Sequence, residues 1–182
     1  MDTMFFQPGD PEMFAGLRDA GSAPVQVDPQ WRDLVPGPAT CIPLRAIRQA
    51  MSLAATTDAS GSARTSGRPA IKDIACSKSI DPMSVRFYDY LLRAKPVGQG
   101  KDQPTRLFVI RDSGSGNSSV LVISLRDALL SDVQFQTGVD GDDTETFSLN
   151  FTEVLWTYVT RQGRFSNGWS LARNRPIGQF TD

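Results

Sequence analysis

Between Thr144 and Tyr158 the apolar positions change phase. Phe147, Leu149 and Phe151 alternate with Ser148, Asn150 and Thr152, the period-two pattern of a half-buried strand. After Glu153 the apolar set becomes Val154, Trp156 and Tyr158. One extra residue produces such a slip, and a β-bulge is the usual device. The run 118–136 slips in the same way around Arg126-Asp127, then alternates again through Val133 and Phe135. Two long strands bent in the middle predict a sheet that wraps into a barrel. Residues 105–111 form a further strand, joined to the 118–136 run by a Gly/Ser/Asn hairpin. Residues 138–142 turn the chain into its long final strand. Gln162-Gly163 is a second turn, after which Gly168-Trp169 opens a last short extended segment.

Upstream, residues 70–80 read as a strand with Ile74, Cys76 and Ile80 on one side. Lys78 falls on the inward parity, and its plainest reading is a side chain snorkelling from a strand end. Asp81-Pro82 is the best helix start in the chain, an N-cap followed by a first-turn proline. Met83, Phe87, Tyr90-Leu91 and Ala94 then make an apolar stripe, with Asp89 and Arg93 paired on the other face. The pattern stops at Lys95-Pro96.

The first third of the chain is less regular. Residues 4–8 suggest a short edge strand. Asp10-Pro11 followed by Met13, Phe14 and Leu17 suggests a short surface helix ended by Gly21. Residues 22–41 hold Pro24, Pro29 and the run Pro36-Gly37-Pro38, so they read as loop, with Val25 and Val27 as a strand fragment. Leu44, Ile47, Met51 and Ala54 recur at helical spacing, and on the residues alone 42–55 reads as a helix. Residues 56–68 are polar, with no apolar side chain larger than alanine. They are either a linker or a segment that orders against a partner.

Composition narrows the function. The 182 residues are 40% hydrophobic and 21% charged, in keeping with a single folded domain. The net charge of −1 supplies no field for nucleic acid. No apolar run approaches the ~20 residues of a membrane span, and Met1 to Asp10 lacks the basic start of a secretory signal. Cys41 and Cys76 each lie in apolar surroundings, as small buried hydrophobes of a reduced protein do.

Histidine is absent, which removes imidazole bases and the commonest metal ligand. Gly98-Gln99-Gly100-Lys101 lacks the upstream glycine and the Ser/Thr of a phosphate loop, and reads as a helix-to-strand turn. The spacing of Asp140, Asp142, Asp143 and Glu145 fails the calcium-loop pattern. No enzymatic constellation, cofactor site or metal site is expected.

Several of these residues carry a resemblance. Thr144-Glu145, Phe147, Leu149-Asn150-Phe151, Val154, Trp156, Tyr158 and Gly168-Trp169 resemble the C-terminal half of the haemolysin co-regulated protein (Hcp) family, the inner tube of type VI secretion systems. Asp73-Ile74, Ser77-Lys78 and Ile80-Asp81 resemble the strand that leads into that family's single helix. The resemblance spans residues 70–169 and extends back to 42, where it implies strand in place of helix. Residues 10–40 then look like an insertion, and 170–182 like a C-terminal extension of one domain over 1–182.

The resemblance implies a mainly β fold, a barrel of bent antiparallel strands with one flanking α-helix, here with a short extra N-terminal helix. It implies a homo-oligomer: a six-membered ring that stacks into a tube, is propelled by a contractile sheath behind a spike protein, and carries small effectors. Such a protein assembles in the cytoplasm and leaves without a signal peptide. The loop matching 56–68 packs on neighbouring subunits in that family, which puts Thr57, Asp58, Ser60, Arg64 and Arg68 at an interface. Phe87, Leu149, Phe151, Trp156, Tyr158 and Trp169 become core residues. Two rivals are a phage-type tail tube subunit and a monomeric barrel holding a small ligand.

Overall fold

The computed structural model describes residues 3–16, 31, 33–35, 40–57, 64–111, 118–139, 141 and 143–182, with side chains omitted at 55–57 and 64–66. The chain is mainly β with one α-helix. A seven-stranded antiparallel sheet contains β1 (Thr3–Gln7), β2 (Ile42–Leu44), β7 (Thr105–Arg111), β8 (Ser119–Arg126), β11 (Glu153–Thr160), β12 (Gly163–Ser170) and β13 (Arg175–Pro176), ordered β13-β12-β11-β8-β7-β1-β2. A four-stranded sheet contains β3 (Ala46–Arg48), β6 (Ile74–Ser79), β9 (Leu129–Gln136) and β10 (Thr144–Asn150), ordered β3-β6-β10-β9. Between β3 and β6 the chain makes a separate hairpin, β4 (Met51–Thr57) and β5 (Arg64–Ile71). The helix α1 (Ser84–Leu92) packs beside β9.

The two phase slips mark corners, not bulges. At Phe151-Thr152 the chain leaves the four-stranded sheet as β10 and enters the seven-stranded sheet as β11. At Asp127-Ala128 it crosses the other way, from β8 to β9. Asp127 takes the left-handed backbone (φ 51) that makes the bend possible. A third crossing runs through Arg45, between β2 and β3, where the Arg45 side chain donates to Ser79 Oγ and Thr144 Oγ1 across the smaller sheet. The closed barrel expected from bent strands is therefore seen as two open sheets folded over one core. A register shift does occur, but earlier, between Ser148 and Leu149 where β10 pairs with β9.

The main core is filled from both sheets and from the helix. Phe6, Phe87 and Phe147 meet as a ring cluster, with centroids 4.7–5.8 Å apart. Leu107, Leu125, Leu149 and Val154 surround it, fully buried. The other face of the large sheet has its own small core. Trp31, Val35 and Cys41, from the segment before β2, cover Phe5, Phe108, Ile110 and Val120 there. Burial pushes both thiols up, Cys41 to about 11 and Cys76 to about 12.

Other expectations shift by small amounts. β1 is an interior strand, paired with β2 and β7, so it is not the expected edge. The N-terminal helix is a 3-10 turn over Pro11–Phe14, capped by Asp10, whose carboxylate accepts from the Glu12 N–H at 3.0 Å. Leu17, Gly21, Val25 and Val27 lie outside the described residues. Residues 42–57 form strands, as the resemblance implied and against the helical spacing. The helix α1 starts later than expected, at Ser84 with Met83 at its N-cap and no side-chain cap; Asp81 and Pro82 instead form the turn before it, where Asp81 Oδ1 accepts from the Met83 N–H at 2.8 Å. It ends early, at Leu92, with Ala94 exposed in a left-handed turn. Gly168-Trp169 stands near the end of β12, which begins at Gly163.

Candidate functional site: a free-standing hairpin and its support

Of the segment expected as a polar loop, the described ends, 56–57 and 64–68, belong to the strands of a β-ribbon. β4 and β5 pair from Met51↔Ile71 out to Thr57↔Arg64, with a register shift between Leu53 and Ala55. Neither strand joins the other two sheets. The base is held: Lys72 N–H donates to Ala50 O at 2.9 Å, and Ile71 packs against the main core. Beyond it the described side chains of β4 lie open on both faces. Met51 is 60% and Leu53 53% exposed, and Ser52 and Ala54 on the opposite face are exposed as well. A two-stranded ribbon with water on both faces is at best marginally stable. Large apolar side chains left uncovered on it mark a contact surface.

Of the residues expected at an interface, Thr57 and Arg64 form the last described rung of this ribbon, and Arg68 is exposed beside the register shift. Asp58 and Ser60 lie outside the described residues. Met51 and Leu53, the exposed apolar pair, are part of the surface that sequence reasoning missed. The helical spacing of Met51 to Leu44 and Ile47 disguised the strand.

Behind the hairpin, Trp156 is half-buried against the main core, and its indole Nε1–H donates to Gln49 Oε1 at 2.9 Å. Gln49 lies in the two-residue link between β3 and β4, so this bond ties β11 to the hairpin base. Phe87, Leu149 and Phe151 are buried, and Trp169 is half-buried against the core. Tyr158 departs from its expected core role. It is 39% exposed, with its hydroxyl donating to Ser119 Oγ at 2.8 Å. The Gly-Trp element has a steric reason. A Cβ on Gly168 would stand 2.4 Å from Leu155 Cδ2 and 2.9 Å from Ile177 O, the C-terminal segment that crosses there.

Lys78 does not snorkel. It is fully buried on β6, directly across the ladder from the fully buried Glu145 on β10. Its Nζ lies 2.9 Å from Glu145 Oε2 and 2.8 Å from Asp81 Oδ1. Ser84, at the start of α1, donates from Oγ to Glu145 Oε2 at 2.9 Å and stands 3.0 Å from Lys78 Nζ. A serine beside a lysine invites a catalytic reading, but both side chains are closed off from solvent and the ammonium is engaged by two carboxylates. The cluster is a clamp joining β6, β10 and α1. It also occupies Glu145, one of the acids of the calcium-loop pattern. The Gly98–Lys101 turn is likewise occupied, since the Gly100 N–H donates to Asp127 Oδ1 at 2.8 Å.

A second buried carboxylate fastens the C-terminal segment. Glu153, 2% exposed, accepts from the Thr181 N–H at 2.9 Å and from Thr181 Oγ1 at 2.7 Å, with Arg126 Nη1 at 3.4 Å. Burial pushes its carboxyl up, but the bonds from Thr181, Ser170 and Arg126 outweigh that and hold it below the usual range.

Solved structures share this fold. A type six secretion system protein superposes with a TM-score of 0.73 at 15% identity, over 97% of this chain and 100% of that one. Hcp1 from Salmonella typhimurium gives 0.65 at 17% identity, over 97% and 99%. The secreted protein Hcp3 from Pseudomonas aeruginosa gives 0.62 at 12% identity, over 93% and 98%. No curated protein matches the sequence. The fold is thus that of type VI secretion tube proteins. The model of the family described as "Type VI secretion system effector, Hcp" matches residues 38–158, and the chain belongs to that family.

Proposed function

We propose that this chain is a non-enzymatic building block of the type VI inner tube: six copies close into a ring, rings stack, and the β4–β5 hairpin of each copy lies on a neighbour. The observation that carries this reading is the hairpin itself. Among the described residues its two strands pair only with each other, and Met51 and Leu53 are left in water. Cover from a second copy would offset the cost of ordering a ribbon that has little to pack on. Thr57, Asp58, Ser60, Arg64 and Arg68 then supply polar contacts around that apolar pair. A head-to-tail contact of this kind, between two different surfaces, closes into a ring when the rotation per subunit fits. The ring is exported by the secretion machine behind its spike and inside its sheath, with small effectors carried in the lumen. The two buried clusters at Lys78 and Glu153 serve the subunit's rigidity and take no part in chemistry.

Negative-stain microscopy of the purified protein tests the reading. Annular particles with six-fold end views are expected. Featureless particles of monomer size would remove it.

A further inference from the structure

A cavity of about 200 Å³ opens where the segment after β1 meets the start of β7. Its apolar side is formed by Pro8, Pro11, Phe14 and Pro104. Its polar side is formed by Gln7, Thr40 and Arg106. Arg106 is the one cation among the described lining residues, and it is half-buried. Its described hydrogen bond runs to Gln7 Oε1 at 3.5 Å, the outer limit for such a bond. Burial lowers the pKa of its guanidinium.

A guanidinium withdrawn from water without a counter-charge is costly. Two other cations wholly or partly withdrawn from water have carboxylate partners, Lys78 with Glu145 and Lys95 with Asp10. Arg106 has none among the described residues. The fork of a guanidinium matches a carboxylate tooth for tooth. The volume equals roughly seven waters at about 30 Å³ each, enough for a carboxylate and a few methylenes. A phosphate or sulfate fits poorly, because most of its oxygens would face proline rings in place of donors.

We propose that this cavity binds a carboxylate carried on a short apolar stem, with Arg106 as its ionic partner and Pro8, Pro11, Phe14 and Pro104 around the stem. The carboxylate comes either from a free short-chain acid or from an acidic side chain of a second copy of the chain. The family match begins at residue 38, so Pro8, Pro11 and Phe14 of the lining lie outside it, while Thr40, Pro104 and Arg106 lie inside. The free-acid form holds whether or not rings assemble.

Equilibrium dialysis of the full chain against labelled butyrate, at constant ionic strength in chloride, tests it. Sedimentation of the same samples is run in parallel. Uptake of one butyrate per chain is expected, weakened roughly tenfold in Arg106→Lys, which keeps the charge and loses the fork, and abolished in Arg106→Gln. Inorganic phosphate should not compete. If the wild-type protein takes up no butyrate but either variant sediments as a smaller species, the carboxylate belongs to a second copy. Butyrate uptake unchanged in both variants, or no uptake with unchanged sedimentation in both, overturns the proposal. Arg106→Lys keeps the test decisive if Arg106→Gln does not fold.

Discussion

Thr152 and Asp127 hold the two corners of the fold together. Thr152 Oγ1 donates to Asp127 Oδ2 at 3.0 Å, and the Thr152 N–H donates to Arg126 O at 3.1 Å. Each residue sits where a bent strand passes from one sheet to the other. The two phase slips seen along the sequence are therefore one structural event, a shared hinge line between the sheets.

Asp127 should accordingly resist substitution. Its backbone is left-handed (φ 51), and its other oxygen accepts from the Gly100 N–H. Asp127→Ala loses both bonds and keeps the backbone strain, and should cost about 2–4 kcal/mol by urea titration. Asp127→Asn, which tolerates the same backbone and keeps one acceptor, should cost less than half of that. Equal costs would mean that the side-chain bonds contribute little.

Breaking the buried Lys78–Glu145 pair from one side should be severe. Lys78→Met or Glu145→Gln leaves a closed-off group without its partner, a loss of about 3–5 kcal/mol. Replacing both by apolar residues should recover much of the loss. Denaturation at one fixed protein concentration reads this out, and additive single losses would contradict the clamp.

Acid should loosen the C-terminal segment through Glu153. Its carboxyl is held below the ordinary 4.5 in the folded chain. The unfolded chain therefore takes up the proton first, so the stabilisation is complete above that value. It is lost as pH falls through the folded value. Melting temperature followed from pH 7 down to 3 should drop less steeply in Glu153→Gln than in the parent protein. Parallel curves would place the acid sensitivity elsewhere, with Asp10 the next candidate.

Trp156 is half-buried, so its removal costs less than emptying a fully enclosed site. Trp156→Ala should lose about 2–3 kcal/mol, below the range for fully buried tryptophan. Trp156→Phe isolates the bond to Gln49 and should lose about 1 kcal/mol. Calorimetry distinguishes the two. A neutral Trp156→Phe would mean that β11 does not brace the hairpin.

Much of this architecture was legible in the residues. The apolar stripe of α1, the β7–β8 hairpin and the alternation through Phe147 and Leu149 follow from period and turn chemistry, although α1 begins at Ser84, past the Asp81-Pro82 turn. What the slips meant was not legible, because a bulge and a change of sheet shift the parity alike. Lys78 was misread because its partner Glu145 lies on a strand far along the chain, beyond any local pattern. The stretch from Leu44 to Ala54 imitates a helix since its apolar residues fall three or four apart, yet they belong to three strands in three sheets. Pro43 sits on the outermost strand β2, where a missing N–H is tolerated. The β4–β5 ribbon carries no alternating core face, so nothing in its period announces a strand.

Sedimentation velocity at micromolar concentration, on the wild-type chain and on a Met51→Ser/Leu53→Ser variant, tests the central claim most directly. The account predicts a wild-type species near six subunits and a variant that sediments mainly as folded monomer, with its circular dichroism unchanged. A wild-type chain that remains monomeric across the accessible range, or a variant that assembles as well as the wild type, would contradict it.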